Sequence, residues 1–232
     1  MQIYKDKWEE SYTRYENHIF FPKEEVVKFL NRFIRKKIGP KEFADKLDFS
    51  KTVRGLDLGC GIGSNTLLMH EFGIEAYGVD ISAKAVETAQ DLAKSRGIPE
   101  SAVHFQVVDG VTLPFADNYF DVLVCDSVLD SMSFEIALQN MREINRITSR
   151  FAFFTLISGD DSEHYREFAQ EEIVETTHEQ GTVQCYYNFS KIRDLVKASA
   201  FQIKWCHLIK DISVLDKNVS SRYFVVLEKP RT

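Results

Sequence analysis

Three glycines set two apart, Gly59, Gly61 and Gly63 in "DLGCGIG", directly follow a short apolar run. Glycine inside a regular element costs roughly 0.5–1 kcal/mol relative to alanine, so this density points to backbone brought close to a ligand. A carboxylate, Asp80, closes the next apolar run 21 residues beyond Gly59. At that interval an acidic side chain accepts hydrogen bonds from ribose hydroxyls beside a glycine turn. Two more aspartates close later apolar runs, Asp109 in "AVHFQVVD" and Asp126 in "FDVLVCD". Together these residues describe a nucleoside-bearing ligand gripped by backbone and carboxylates. The phosphate loop G-x-x-x-x-G-K-[ST] is absent, which excludes the usual nucleoside triphosphatase. The dinucleotide fingerprint is also imperfect, because Ser64 holds the place of its last glycine and Gly63 comes one residue early.

Ligands of open parallel sheets bind outside the carboxyl ends of the strands, and the pattern around these residues supplies such strands. "VRGLDL" (53–58), "EAYGVD" (75–80), "AVHFQVVD" (102–109), "FDVLVCD" (120–126) and "RFAFFTLI" (150–157) read as strands, several apolar on both faces. Between them "SNTLLMHEFG" (64–73), a segment capped by Ser82 and "FEIALQNMREINRI" (134–147) read as helices. Upstream, "PKEEVVKFLNRFIRKKIG" reads as a further helix with Val26, Leu30, Phe33 and Ile34 on its apolar stripe. Ser190 is placed to cap a late helix through Ile192, Leu195 and Val196. The last two apolar runs, "FQIKWCHLI" and "SRYFVVLEK", are separated by too few residues for a crossover helix, so they pair antiparallel. The expected fold is α/β: a doubly wound, Rossmann-like, seven-stranded and mostly parallel sheet with an antiparallel C-terminal strand.

Residues 1–232 fit one domain. Residues 1–48 form an aromatic leader and helix that read as a lid, and residues 159–190 form an inserted segment. A net charge of −6 argues against a non-specific nucleic-acid binder; the basic run Arg35, Lys36, Lys37 and Lys41 reads as a solvated face. Cys60, Cys125, Cys185 and Cys206 stand apart without metal or redox spacing, as in a reduced, cytoplasmic protein. No apolar stretch has the length of a signal peptide or a membrane span.

With these motifs in order, "VRGLDLGCGIGSNTL", "YGVDIS", "VVDGVTLPFADNYFDVLVCDSVL" and "SRYFVVLEK", the chain resembles the class I S-adenosylmethionine-dependent methyltransferases of the small-molecule type. The resemblance is strong over roughly residues 50–158. It implies that Gly59, Gly61 and Gly63 lie under the methionine moiety and that Asp57 orients that loop and helps hold the amino group. It further implies Asp80 on the ribose, Ile81 on the adenine, Asp109 with Gly110 at the adenine amine, and Cys125 and Asp126 on the methionine side. The donor is then S-adenosylmethionine, the product S-adenosylhomocysteine and the partner a small-molecule methyl acceptor. A protein or RNA acceptor, or a non-catalytic binder of the donor, is the alternative. Monomer and homodimer both remain open.

In "SVLDSM", Asp130 stands where relatives often place a histidine. The base-methylation tetrapeptide [DNS]-P-P-[YF] is replaced by "CDSV". Candidate general bases are Asp130 and His164, with His178 further along; Asp160 and Asp161 make no metal pair, and no metal is expected. Trp8, Tyr12 and Tyr15 recur at helical spacing, so one helix face would carry all three rings over the donor, with Trp8 and Tyr12 as donor contacts. Tyr186 and Tyr187 in the insert would alternate, one toward the cleft.

Overall fold

The computed structural model describes residues 2–160, 171–176 and 179–230. The chain opens with α1 (Gln2–Thr13), then α2 (Glu24–Phe29) running into a π-helical turn (Leu30–Ile34) and a small hairpin of β1 (Arg35–Lys37) and β2 (Phe43–Asp45). Alternation follows: β3 (Arg54–Leu58), α3 (Ser64–Glu71), β4 (Glu75–Asp80), α4 (Ala83–Ser95), β5 (Val103–Val107), β6 (Phe120–Asp126), α5 (Phe134–Ile147) and β7 (Thr148–Ile157). The last part holds the hairpin of β8 (Glu171–Ile173) and β9 (Val183–Cys185), α6 (Phe189–Lys197), and the long pair β10 (Gln202–Ile212) and β11 (Val219–Glu228).

Seven strands make one sheet in the order β10-β11-β7-β6-β3-β4-β5. β3 through β7 run parallel, while β11 lies antiparallel to both β7 and β10. The expected fold is therefore the observed one. Strand order reverses beside β3, where the chain first builds toward β5 and then returns through β6, so a crevice opens at the carboxyl ends of β3 and β6.

Period-two alternation puts each central strand to work on both faces. Leu123 and Cys125 pack with Met141, Ile144 and Leu195 on the α5 and α6 side. Val122 and Val124 pack with Val26, Leu30 and Leu67 on the α2 and α3 side. Phe29 stacks on Phe153 at 5.0 Å between ring centres, which fixes the N-terminal helix to the sheet. Each fully buried aliphatic or aromatic side chain contributes roughly 1.5–3 kcal/mol, so this double core holds the strand ends in place. Ser82 caps α4 by accepting from the Ala85 N–H at 3.0 Å, and Ser133 caps α5.

Five local expectations are corrected. The helix read across residues 22–39 ends at Ile34, because Arg35 is drawn out to Asp45 at 2.6 Å and to the Phe72 carbonyl at 3.1 Å. Its guanidinium also covers the rings of Phe43 and Phe49, so Arg35 does not belong to a solvated basic face. The late helix is capped by Asn188 rather than Ser190: the Asn188 side chain accepts from the Lys191 N–H at 2.9 Å. Helix α1 stops at Thr13, and Tyr15 takes a left-handed backbone (φ 62°) with its ring 71% exposed, away from the face shared by Trp8 and Tyr12. Finally, β5 ends at Val107, two residues before Asp109.

At the turn after β3, Gly59 has φ 70°, and a Cβ there would fall 2.4 Å from a Val128 methyl carbon. Gly59→Ala is expected to destabilise the protein by about 2–4 kcal/mol, combining left-handed strain with overpacking. Denaturant melts should show part of that loss recovered in the Gly59→Ala/Val128→Ala double variant. A neutral Gly59→Ala would contradict the tight approach.

Candidate active site

A cavity of about 430 Å³ opens at the carboxyl ends of the central strands. One half is built from the glycine turn, the ends of β4 and β5, and α1. The other half is built from the loop after β6, the segment between α1 and α2, β9 and β11.

In the first half, Asp80 organises the wall. One of its oxygens accepts from the Gly61 N–H and the other from the Ser82 N–H, both at 2.9 Å. Burial pushes its carboxyl up, against the pull of those N–H donors. Gly59, Cys60, Gly61, Ile81 and Gly110 line the same half. Gly61 has φ 52°, and a Cβ there would sit 2.7 Å from the Tyr12 hydroxyl oxygen, so only glycine lets α1 pack this close. Trp8 and Tyr12 of α1 both line the cavity, and burial together with nearby Asp80 raises the Tyr12 phenol. Glu9 ties α1 to the start of α4: it accepts from the Ser82 hydroxyl at 2.6 Å and from the Lys84 N–H at 3.2 Å.

Not every residue expected at the ligand reaches the wall. Asp109 is exposed and folds back to accept from the Val111 and Thr112 N–H groups, each at 3.2 Å, leaving Gly110 on the wall. Cys125 points to the α5 side of the sheet, where burial raises its thiol, because strand alternation sends only its neighbour Asp126 toward the cavity. Gly63, with φ 87°, serves as the N-cap position of α3 behind the turn.

Asp57 lies beneath the glycine turn. One oxygen accepts from the Thr66 hydroxyl at 2.8 Å, while the other is buried with no partner among the described residues. Burial pushes its carboxyl up to about 7; the Thr66 bond opposes this, and the charges of Asp126 and Asp80 add to it.

In the second half, Asp126 accepts from Lys23 Nζ at 2.7 Å and from the Thr155 hydroxyl at 2.5 Å. Burial alone would raise this carboxyl, but Lys23, Thr155 and Arg222 outweigh it and hold it below the usual range. Asp130 lines the cavity, yet its Oδ2 accepts from the Ile157 N–H at 2.7 Å and from Arg222 Nη1 at 2.8 Å. Its other oxygen, Oδ1, is buried with no hydrogen-bond partner among the described residues. His164, His178 and Asp161 lie outside the described residues. Asp160 pairs with Lys210 at 3.0 Å, and no metal-binding cluster exists among the described residues.

Tyr186 and Tyr187 are both fully buried, so neither reaches the cleft. Their hydroxyls are occupied instead, Tyr186 donating to Glu172 at 2.6 Å and Tyr187 to the Leu129 carbonyl at 3.0 Å. Lys23, Phe21 and Arg222 line the cavity without having been singled out in the sequence. Lys23 was hidden in a presumed first helical turn, and Arg222 in an otherwise apolar strand.

Residues 56–156 match the model of a methyltransferase domain. A SAM-dependent methyltransferase from Methanosarcina mazei superposes with a TM-score of 0.65 at 18% identity, covering 78% of this chain and 94% of its own. Magnesium protoporphyrin IX methyltransferase from Synechocystis, solved with bound SAM, superposes with a TM-score of 0.57 at 18% identity, covering 77% and 71%. This is the class I methyltransferase fold. Among curated proteins, phosphoethanolamine N-methyltransferase 1 of Triticum aestivum is 39% identical over 84 residues, which is 36% of this chain and 16% of that protein. The chain spans far less than two thirds of the curated relatives it matches, from 16% to 42% of their length across the first several.

Asp57 supplies a pH prediction. Its folded-state carboxyl titrates near 7, above an ordinary value of 3.8, so ionisation is penalised only in the folded chain. The stability linked to this group is complete below about pH 4 and falls as pH rises toward 7, by on the order of 4 kcal/mol. Denaturation of wild type and Asp57→Asn between pH 4 and 8 should show the variant gaining on wild type across that window. A constant difference would contradict the assignment.

Proposed function

We propose that this protein transfers a methyl group from S-adenosylmethionine to a small-molecule acceptor and releases S-adenosylhomocysteine. The observation that carries the reading is Asp80, a buried carboxylate that ties the glycine turn to the end of β4 and faces the cavity. The residues present fit the donor. Gly61 leaves a backbone cradle that a Cβ would fill, and Asp57 keeps a buried oxygen beneath the turn with no partner among the described residues.

In this reading Gly59 to Gly61 offer backbone along the methionine tail, and Asp57 supplies negative charge under its amino group. Asp80 accepts from the ribose hydroxyls through the lone pairs that the two N–H bonds leave open. Ile81 and Gly110 flank the adenine. Trp8 and Tyr12 give aromatic faces that favour a sulfonium and, with the Glu9 latch, keep water out. When bound, the donor supplies an electrophilic methyl on a good leaving group. The protein's contribution is alignment, for which roughly 7–11 kcal/mol is the upper range.

A cavity of about 430 Å³ suits a small acceptor better than a folded partner. The net charge of −6 disfavours RNA. An acceptor that is nucleophilic without first losing a proton, such as a neutral amine or a thiolate, needs no base from this loop for the transfer itself.

Calorimetry should show S-adenosylhomocysteine binding where NAD does not, and Asp80→Ala should weaken that binding by about 1–3 kcal/mol. Binding of NAD alone would overturn the reading. Incubation of a metabolite extract with methyl-labelled donor should label small products. Label confined to protein or RNA would favour those acceptors, and S-adenosylhomocysteine binding without any turnover would leave a non-catalytic binder.

A further inference from the structure

The acceptor half of the cavity carries two cations that reach it from distant parts of the chain. Lys23 comes from the segment before α2, and Arg222 from β11. They meet on one atom: the Ser127 hydroxyl oxygen accepts from Lys23 Nζ at 2.7 Å and from Arg222 Nη1 at 3.0 Å. Each cation also has a carboxylate, Asp126 for Lys23 and Asp130 for Arg222.

The four charges cancel in sum but not in position. The Asp130 side chain is 1% exposed against 28% for Arg222, and Asp126 is 13% exposed against 33% for Lys23. Both carboxylates line the cavity but are held on its inner side, Asp126 by Thr155 and Asp130 by the Ile157 N–H. The more exposed partner in each pair is the cation, so an incoming molecule meets positive charge first. Glu179, another carboxylate on the wall, acts on Tyr12 and so sits on the donor side.

Two further features distinguish this cluster from a plain structural clamp. Nη1 of Arg222 makes both of its contacts, leaving Nη2 and Nε without hydrogen bonds to the described residues. A guanidinium held by one nitrogen with two others open is a fork suited to carboxylate or phosphate. Ser127, where the cations converge, adopts a left-handed backbone at φ 59°. That conformation costs a non-glycine residue about 1–3 kcal/mol and is held by the Ser127 N–H donating to the Thr155 hydroxyl at 2.9 Å.

We propose that Lys23 and Arg222 form an oxyanion subsite in the acceptor half, which takes a carboxylate or phosphate carried by the methyl acceptor. The inference deepens the proposed methyl transfer and rests on it for the meaning of "acceptor". Phe21, 80% exposed at the same opening, provides an apolar surface for the rest of that molecule.

Benzoate, phenyl phosphate and neutral benzamide share a ring and differ in the group offered to the subsite. Titrated calorimetrically into protein saturated with S-adenosylhomocysteine, at least one of the two anions should bind tenfold or more tightly than benzamide. Which anion wins distinguishes carboxylate from phosphate acceptors. Arg222→Met should abolish the preference while leaving the affinity for S-adenosylhomocysteine within twofold. Because that change strands Asp130, the same loss is expected in the Arg222→Met/Asp130→Asn double variant, which removes the buried charge. Arg222→Lys keeps a cation for Asp130 without the fork and should fall between. Equal binding of all three probes, no binding of either anion, or a preference that survives in the double variant would overturn the subsite. Wild type that fails to bind S-adenosylhomocysteine would refute the donor reading instead, so the two failures are separable.

Discussion

Two backbone N–H groups, those of Gly61 and Ser82, converge on the single buried carboxylate of Asp80. The contact joins the turn after β3 to the turn after β4, and so sets the distance between them across the cavity. It also explains the glycines. A turn pinned this close to β4 needs left-handed backbone at Gly59 and Gly61, and it leaves no room for a Cβ under Tyr12 or Val128. Helix α1 is tied to the same place, since Glu9 reaches the Ser82 hydroxyl and the Lys84 N–H at the start of α4. Sheet, turn and α1 therefore meet around Asp80 and Ser82.

The far side of the cavity is organised differently. There, side chains rather than backbone set the geometry, and they come from the segment before α2, the loop after β6, β7 and β11. Asp126 and Asp130 face inward while Lys23 and Arg222 face the opening. Charge pairs of this partly buried kind contribute little net stability for the desolvation they require. Their worth here is orientation, because they fix which polar atoms a second molecule encounters. One half of the cavity is thus a preformed backbone cradle, and the other a charged, side-chain-defined pocket.

How much of this the sequence discloses follows from the range of the interactions. The strands and most helices are legible because alternation and capping are local: "FDVLVCD" is apolar on both faces, and Ser82 caps where it is expected. Gly59, Gly61 and Asp80 were legible because backbone approach and strand ends leave a signature in spacing. Arg35 was misread because its partners, Asp45, Phe43 and the Phe72 carbonyl, lie far along the chain. Lys23 and Arg222 escaped for the same reason, as each acquires meaning only when Ser127 brings them together. Asp109 and Cys125 show the opposite limit, since sequence position placed them near the cavity while rotation about the strand or loop carried their side chains away.

Amide hydrogen exchange at Gly61 and Ser82, read by NMR with and without S-adenosylhomocysteine, tests the central contact most directly. Both amides should be protected in the free protein through Asp80 and slow further as the ligand fills the cleft. Exchange at unprotected loop rates, unchanged by saturating ligand, would contradict the account.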